Sequence, residues 1–390
     1  MSKLDELLQG VDVEWKKLWE VTTWDKKFNS VEKHKQPKTN KYKYLLASEI
    51  KPLILEKGTI KLLSTNDTNW WTSEELVGNN FHEGEIIAIP WGGNPIVQYY
   101  KGKFLTGDNR IAVVNDPEYL STKFLHYYLT NNINLISSFY RGAGIKHPNM
   151  HNVLELDIPI PPIEIQQEIV RVLDELTSLT NQLTTELEAE RQNRKKQFEF
   201  FREQLFRFED SEIQIKPLIE VAEIGTGSRN TNEAVIDGEY PFFVRSQIPR
   251  AINEFEFDET AIITAGDGVG VGKVFHYISG KYALHQRAYR IVLKSNILCS
   301  KYLFYYIKNN FSKYIEKISV HASVTSLRKP MFEKYPIPIP PLEEQERIVK
   351  FLDQFDATHT AIEEEITKVI KLRTQQYEYY REKLLSFPQN

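Results

Sequence analysis

The chain has 390 residues, of which 41% are hydrophobic and 26% charged, so it is long enough for two or three domains with buried cores. This composition excludes collagen-like and disordered chains, and the single cysteine, Cys299, excludes an internal disulfide or a zinc site built from several thiolates. The formal net charge of −4 gives no overall basic footprint of the kind that nucleic-acid-binding proteins usually show.

The sequence pattern predicts five segments, of which two are mixed α/β domains and two are long helices. Short β-branched and aromatic runs separated by glycine are typical of domains with several strands. The long-helix segments are net acidic, with 7 basic against 12 acidic and 7 against 10 side chains, whereas the mixed domains are slightly basic, with 18 against 16 and 16 against 12. In chain order we predict a short N-terminal helix over 1–12, a mixed domain over 13–157, a long helix over 158–212, a mixed domain over 213–336 and a long helix over 337–390.

The two long-helix segments are copies of one another. The run Ile158-Pro-Ile-Pro-Pro-Ile-Glu-Ile-Gln-Gln-Glu-Ile-Val-Arg-Val-Leu-Asp174 recurs 179 residues later, without a gap, as the run from Ile337 to Asp353. Over 51 aligned positions, 19 are identical. Internal similarity of this strength indicates a duplication, and it predicts that the chain contains two related halves.

Each copy has the pattern of a single long helix. Pro162 and Pro341 stand where a first helical residue tolerates proline, and neither 163–208 nor 342–387 contains a glycine or proline. Apolar residues recur at alternating steps of three and four, which gives a narrow stripe that one isolated helix cannot bury. We therefore expect the two helices to pack as an antiparallel coiled coil, because the segment between them then joins neighbouring helix ends. The expected fold class is α+β: two mixed α/β domains separated by two long antiparallel helices, with a pseudo-two-fold internal repeat.

Motifs of the common enzyme classes are missing from the sequence. Gly266–Lys273 is rich in glycine, but a phosphate-binding P-loop needs Gly six residues before the lysine and Ser or Thr after it, where this chain has Asp267 and Val274. We therefore expect a tight loop between strands there. The chain has no His-Glu-x-x-His or Gly-x-Ser-x-Gly run and no amino-methyltransferase tetrad, which predicts a non-catalytic protein. The histidines are scattered, as His147, His151, His276, His285 and His321 illustrate.

The hydropathy pattern indicates neither a membrane span nor an export signal. No run approaches the roughly 18 to 20 uninterrupted apolar residues that a membrane-spanning helix needs. The first residues, MSKLDELLQG, lack the basic-then-apolar order of a secretory signal, so we expect a cytoplasmic protein.

Basic side chains lie among aromatic, amide and hydroxyl residues in predicted loops of both mixed domains, and Arg110, Arg141 and Lys146 are expected in the loops that close the first domain. Arginine and lysine on such loops are typical of contacts with phosphates and base edges, although a solvated face or surface ion pairs would use the same residues. In the first domain the DNA-binding candidates are Lys35, Lys38, Lys41, Lys43, Arg110, Arg141 and Lys146. In the second domain they are Arg229, Arg245, Arg250, Lys273, Arg287, Arg328 and Lys329.

The repeated Ile-Pro-Ile-Pro-Pro-x-Glu-x-Gln-x-x-Ile-Val-x-x-Leu-Asp segments resemble those of the specificity (S) subunit of type I restriction-modification enzymes, and the resemblance covers essentially the whole chain. It implies two target recognition domains that each read one half of a split, asymmetric sequence in double-stranded DNA. It also implies an antiparallel coiled coil that docks two methyltransferase subunits and, through them, the restriction (motor-nuclease) subunits. S-adenosylmethionine, ATP and Mg would then belong to those partners, and this chain would hold no cofactor.

Two aromatic residues lie off the apolar stripe of the long helices. Phe200 and Tyr379 occupy equivalent positions in the two copies and are candidates for contact with a methyltransferase helix, although packing against the adjacent globular domain is an open alternative. Base-reading residues vary with the target, so the resemblance transfers none of them. Two other functions stay open: a coiled-coil scaffold for proteins without sequence-specific DNA binding, and an enzyme with an unrecognised site. Two divergent domains with arginine-bearing loops favour DNA recognition over the scaffold.

Overall fold

The computed structural model describes residues 7–208, 213–318 and 328–388, and it confirms the predicted α+β fold class. Two compact units divide the chain, unit 1 with Met1–Thr185 and Val369–Asn390, and unit 2 with Glu186–Lys368. Each unit contains one six-stranded mixed sheet together with a part of both long helices.

Two sequence-based expectations fall partly outside the described ranges. Of the predicted N-terminal helix, only residues 7–12 are described, and residues 7 and 8 are helical. His321 lies in the undescribed segment 319–327. Within the described ranges, no helix is both long enough and apolar enough to cross a membrane.

Unit 1 is built on a six-stranded sheet between short helices. Its elements are β1 (Glu14–Lys17), α1 (Leu18–Val21), β2 (Thr22–Trp24), α2 (Ala47–Ile50), β3 (Ile60–Leu63), β4 (Trp70–Thr72), α3 (Glu74–Val77), β5 (His82–Pro90), β6 (Gln98–Thr106), β7 (Asn109–Val114), α4 (Thr122–Asn131), α5 (Ile133–Ser138), β8 (Tyr140–Arg141), β9 (His147–Pro148), α6 (Met150–Leu154), β10 (Asp157–Ile160) and the start of the first long helix, α7 (Ile163–Leu205). The strand order is β2-β7-β5-β6-β3-β4, and only β3 and β6 run parallel.

Unit 2 repeats this arrangement. Its further elements are β11 (Gln214–Pro217), α8 (Leu218–Val221), β12 (Ala222–Thr226), β13 (Tyr240–Phe243), β14 (Arg250–Ile252), β15 (Phe257–Ala265), β16 (Phe275–Leu284), β17 (Ala288–Leu293), α9 (Ser300–Ile318), α10 (Lys329–Glu333), β18 (Pro336–Ile339) and the start of the second long helix, α11 (Leu342–Leu385). The strand order is β12-β17-β15-β16-β13-β14, and only β13 and β16 run parallel. The internal repeat therefore extends through the globular regions.

The Ile-Pro-Ile-Pro runs that precede the long helices form strands. In unit 1, β10 pairs with β1, and Ile160 lies opposite Glu14. In unit 2, β18 pairs with β11, and Ile339 lies opposite Gln214. A proline inside such a strand has no N–H to donate, which a two-stranded edge pairing tolerates. The start of each predicted long-helix segment is thus part of the globular region, and each helix begins directly after a proline pair, Pro161-Pro162 in the first copy and Pro340-Pro341 in the second.

A strand that is buried on both faces explains why β5 reads as a continuous apolar run. Ile87 and Ile89 pack in the core that includes the start of α7, whereas Ile86 and Ala88 pack on the opposite face with Phe104. Alternate side chains of a strand point to opposite faces, so this strand serves two cores at once. The counterpart β15 has the same order of exposed and buried positions.

A buried glutamine explains why Gln recurs in the repeated motif. Gln166 is fully buried; its amide donates to the carbonyl oxygens of Tyr119 at 3.0 Å and Pro161 at 2.8 Å, and its Oε1 accepts from the N–H of Ser121 at 2.9 Å. Gln345 repeats the arrangement in unit 2, with the carbonyl oxygens of Ile297 at 3.0 Å and Pro340 at 2.8 Å and the N–H of Cys299 at 2.7 Å. Each glutamine ties the start of a long helix to the segment before α4 or α9.

Replacing Gln166 with alanine is expected to lower the free energy of unfolding of the full chain by about 1–3 kcal/mol, because backbone groups that it satisfies lose their partners. The matched control is Gln167→Ala, which changes an exposed residue of the same helix turn and should stay within about 0.5 kcal/mol of wild type. Urea unfolding followed by circular dichroism measures both. Equal stability of the two variants would contradict this role for Gln166.

The aspartate that ends the repeated motif holds the adjacent globular region on the helix. In unit 1, Asp174 accepts from the ammonium of Lys123 at 2.7 Å and from the hydroxyl of Tyr127 at 2.7 Å. In unit 2, Asp353 accepts from Lys301 at 2.7 Å and from Tyr305 at 2.6 Å. Burial and the hydrogen bond to the carboxylate raise the pKa of both tyrosines, so both hydroxyls stay protonated as donors at neutral pH. One arrangement therefore fixes both globular regions to their helices.

The two long helices run antiparallel where they meet in unit 2. The rings of Phe198 in α7 and Phe355 in α11 stack with centroids 4.4 Å apart, and Nε of Arg191 lies 2.8 Å from a carboxylate oxygen of Glu363. The residue with the lower number in α7 therefore contacts the residue with the higher number in α11, which confirms the predicted antiparallel direction. In unit 1, the end of α11 shares the core of the start of α7, since Leu384 is buried in the cluster of Ile169 and Leu173.

Candidate nucleic-acid interface

The lysine-rich segment of unit 1 divides into exposed and paired side chains. Lys38, Lys41 and Lys43 are exposed, on the stretch between β2 and α2. The side chain of Lys35 is only 15% exposed and bridges carboxylates of Glu155 at 2.7 Å and Glu32 at 3.1 Å. The hydrogen bonds that Lys35 donates to the carboxylates of Glu155 and Glu32 raise its pKa. Lys35 is therefore engaged within the protein, and a DNA phosphate would have to compete with two carboxylates for it.

Arg110 is not a surface residue, and the prediction that it lies in a loop is wrong. It belongs to β7 and is 3% exposed; its Nη1 donates to Asp25 at 2.9 Å, and its Nη2 contacts Asp108. Its guanidinium also lies over the ring of Trp91. Burial raises the pKa of Asp25, and the Arg110 charge partly offsets that effect. Arg110 thus neutralises a buried carboxylate, and we withdraw it from the set of DNA contacts.

Arg141 and Lys146 lie at the exposed end of the β8–β9 pair in unit 1. This hairpin is tied to the loop after β5, because a ring nitrogen of His147 lies 2.7 Å from the carbonyl oxygen of Trp91 and their rings are 5.5 Å apart. Nζ of Lys26 lies over the ring of Trp91, 4.7 Å from its centroid. The structure thus brings Lys26, which the sequence reasoning missed, into one basic and aromatic surface with Arg141 and Lys146.

In unit 2, two of the predicted arginines converge on one aspartate. Nη1 of Arg245 lies 2.8 Å from Oδ1 of Asp267, and Nη1 of Arg287 lies 3.1 Å from Oδ2 of the same carboxylate. Arg245 follows β13, Asp267 follows β15 and Arg287 follows β16, so three connecting loops meet here. The loop after β15 is the glycine-rich segment, which the sequence predicted to be a tight loop between strands. Asp267 was recognised from the sequence only as a misfit to a P-loop.

The other predicted residues of unit 2 lie on its surface to different degrees. Arg229 is half-buried and engaged, with Glu254 at 2.8 Å and Glu233 at 3.1 Å. Next to it, the amide of Gln286 donates to Oδ1 of Asn230 at 2.5 Å. The remaining four predicted side chains are exposed, and they are Arg250 at the start of edge strand β14, Lys273 in the glycine-rich loop, Arg328 before α10 and Lys329 at its first position.

The predicted partner contacts are exposed aromatic residues. Phe200 on α7 and Tyr379 on α11 each leave 58% of their surface exposed. Each has a neighbouring aromatic ring on its own helix, Phe201 at 5.6 Å and Tyr380 at 5.4 Å. A methyltransferase contact for the pair stays a prediction. In the described part of the chain, no cluster of three or more His, Cys, Asp or Glu side chains is arranged to hold a metal ion.

Comparison with known proteins gives consistent matches over most of the chain. The family model for the type I restriction modification DNA specificity domain matches twice, over residues 12–190 and 210–372. The specificity subunit of the Escherichia coli type I restriction enzyme EcoR124I/EcoR124II is 29% identical over 424 residues, which cover 100% of this chain and 98% of that protein.

Solved structures share the fold at lower identity. A chain from a study of complex assembly and conformational transition of the type I R-M system superposes with a TM-score of 0.67 at 16% identity, covering 97% of this chain and 98% of that chain. The HsdS subunit from Thermoanaerobacter tengcongensis superposes with a TM-score of 0.54 at 14% identity, covering 96% and 97%.

Proposed function

Because the chain belongs to the type I restriction modification DNA specificity family, we propose that it reads a bipartite, asymmetric target in double-stranded DNA. Unit 1 would read one half of the target and unit 2 the other. The chain would act within a complex with two methyltransferase subunits and, through them, the restriction subunits. Methylation and cleavage would be carried out by those partners, which would hold S-adenosylmethionine, ATP and Mg, while this chain performs no catalysis and holds no cofactor.

The proposal rests on the observation that the same fold occurs in both units, with different residues in the loops. Both units have the same sheet topology and the same buried glutamine and aspartate contacts. The loops differ: unit 1 presents Trp91 and His147 beside lysines, whereas unit 2 presents Arg245 and Arg287 around Asp267. Scaffolds that are alike support a common role, and loops that differ support different half-sites.

The modest charge of the two mixed domains favours DNA recognition within a complex rather than by the chain alone. Nucleic-acid affinity depends chiefly on phosphate neutralisation, and residues 13–157 and 213–336 carry only small basic excesses. Lys35, Arg110 and Arg229 are also engaged with carboxylates. We therefore expect the chain alone to bind duplex DNA weakly and the methyltransferase subunits to add phosphate contacts.

Copurification and DNA retention test the proposal against the coiled-coil scaffold. The tagged chain, expressed with a type I methyltransferase subunit from the same host, is expected to copurify with that subunit. The complex should retain duplexes of one shared sequence from a random library. The chain alone should retain much less and without sequence preference at 150 mM salt. A complex that copurifies but enriches no sequence would favour the scaffold. Methylation or cleavage of DNA by the purified chain alone would favour an enzyme with an unrecognised site.

A further inference from the structure

Asp267 lies between two arginine-bearing loops of unit 2. Arg245 and Arg287 each use Nη1 on a different oxygen of this carboxylate, at 2.8 and 3.1 Å. The side chain of Arg287 is 62% exposed and that of Arg245 is 41% exposed, whereas Asp267 is 22% exposed. The aspartate is thus the sheltered member of the trio, and the arginines are the members that an external ligand can reach.

Two glycines set the spacing of the three loops. The N–H of Gly266 donates to the carbonyl oxygen of Arg287 at 2.9 Å, and a Cβ at this position would lie 2.7 Å from that oxygen. A Cβ at Gly270 would lie 2.6 Å from the carbonyl oxygen of Arg245. Both distances are shorter than a Cβ tolerates, so any other residue would push the arginine-bearing loops away from Asp267. The glycine-rich loop therefore brings one carboxylate to two guanidinium groups.

The charge of Asp267 is suited to orienting the arginines. Burial by itself would raise the pKa of this carboxyl group, but the hydrogen bonds from Arg245 and Arg287 outweigh it and lower the pKa. The group is therefore ionised at neutral pH. A guanidinium has five N–H donors, and the contact with Asp267 involves a single Nη1 of each arginine. An arginine anchored in this way can present its other donors to a ligand in a fixed orientation at reduced entropic cost.

We propose that Asp267 is a positioning residue that orients Arg245 and Arg287 to read a guanine in the half-site bound by unit 2. The inference rests on the proposed function. Guanine is the base whose major-groove edge offers two acceptors, O6 and N7, to one arginine fork. Unit 1 has no equivalent trio, because the strand register places Asp108 at the position of Arg287 and Gly92 at the position of Asp267. The effect of these residues is therefore confined to one half of the target.

Three variants of the complex with its methyltransferase subunits test the inference. Arg287→Ala removes the most exposed guanidinium, Asp267→Asn removes the orienting charge at nearly constant shape, and Asp237→Asn is the control for loss of one exposed negative charge in the same unit. Methylated sites are sequenced from a random duplex library, and the dissociation constants for a matched and an unmatched duplex are measured at several salt concentrations.

Arg287→Ala is expected to lower the preference for guanine about 10-fold or more at one position of one half-site, and to leave the other half-site unchanged. Asp267→Asn is expected to bind unmatched DNA more tightly, by about 2- to 10-fold at low salt, and yet to lose preference at that same position. Asp237→Asn should leave every base preference unchanged. An aspartate with only a structural role would not combine tighter binding of unmatched DNA with a weaker preference for guanine when it is replaced.

Two results would overturn the inference. In the first, Arg287→Ala weakens binding to all sequences alike, which identifies a phosphate contact. In the second, Asp267→Asn keeps the wild-type base preference. Either result leaves the proposed function intact as long as the wild-type complex methylates a bipartite motif. A wild-type complex without such a motif would overturn the proposed function itself. Because the substituted side chains are at least partly exposed, copurification with the methyltransferase subunit serves as the check that each variant is folded.

Discussion

Exchange of residues 213–336 for the corresponding domain of a relative with a different target is expected to change one half of the methylated DNA motif and to leave the other half unchanged. The physical reason is that unit 2 has its own sheet, its own cores and its own loop residues. The graft should keep lysine and tyrosine at the positions of Lys301 and Tyr305, because these contact Asp353 on the retained helix. Sequencing of methylated sites measures the outcome.

The reciprocal exchange is the matched control for this prediction. Replacing residues 13–157, with lysine and tyrosine kept at the positions of Lys123 and Tyr127, should change only the other half of the motif. Neither exchange alters the two long helices. If either single exchange changed both halves, the two units would not read DNA independently, and the modular account would be wrong.

Substitution of aspartate for Phe200 and Tyr379 is expected to remove the methyltransferase subunits from the complex. Both side chains are exposed aromatics at equivalent positions of the repeat, and a buried charge at the centre of an interface typically costs at least as much as loss of a hot-spot residue, about 30-fold or more in affinity. Each single variant should lose one methyltransferase subunit, and the double variant should lose both. Native mass spectrometry of the copurified complex counts the subunits.

The controls for this prediction are exposed apolar residues elsewhere on the same helices. Leu179→Asp on α7 and Leu372→Asp on α11 introduce the same charge at side chains that are 63% and 52% exposed. They should keep both methyltransferase subunits. If all variants keep both subunits, Phe200 and Tyr379 do not form the partner surface. If the controls lose the subunits as readily, the interface is not centred on the two aromatic residues.

The parts of the fold that follow from the duplication could be predicted from the sequence. A motif repeated without a gap implies repeated contacts, and Gln166 and Gln345 indeed bind equivalent backbone groups in the two units. The helix direction followed from connectivity, and the two pairs Phe198–Phe355 and Arg191–Glu363 confirm it. The motif alone did not reveal that its first residues form strands β10 and β18. A proline-rich run shows neither a helical nor a strand periodicity.

The candidate site could be predicted only in part, because residue type does not reveal the partner of a charge. Arg110 and Asp25 are 85 positions apart in the chain, and the sheet brings them together inside the protein. Lys35 meets Glu155 in the same way, from a distant segment. A sequence cannot distinguish such a buried pair from a free surface charge. Lys38, Lys41, Lys43, Arg141 and Lys146 are exposed as expected, and their contact with DNA stays a prediction.

Asp267 is the opposite case from Arg110, because the sequence did not mark it as a candidate and only its neighbours in the structure point to a role. In the sequence it was the residue that broke a phosphate-loop pattern, and its neighbours Gly266 and Gly270 indicated only a turn. The structure places it against Arg245 and Arg287, which lie 22 and 20 positions away. Glycines that flank an acidic residue next to arginine-bearing loops are a signal that could have pointed to it.

The proposed function requires that one chain reads two separate DNA half-sites. The most direct test is to sequence methylated bases genome-wide in the host, with and without an intact copy of the gene. We expect one bipartite motif, with two unlike halves and a spacer of fixed length, to carry methylation in the intact host and to lose it entirely in the deletion strain. Identical methylation in both strains, or loss of a single continuous motif without a spacer, would contradict the account.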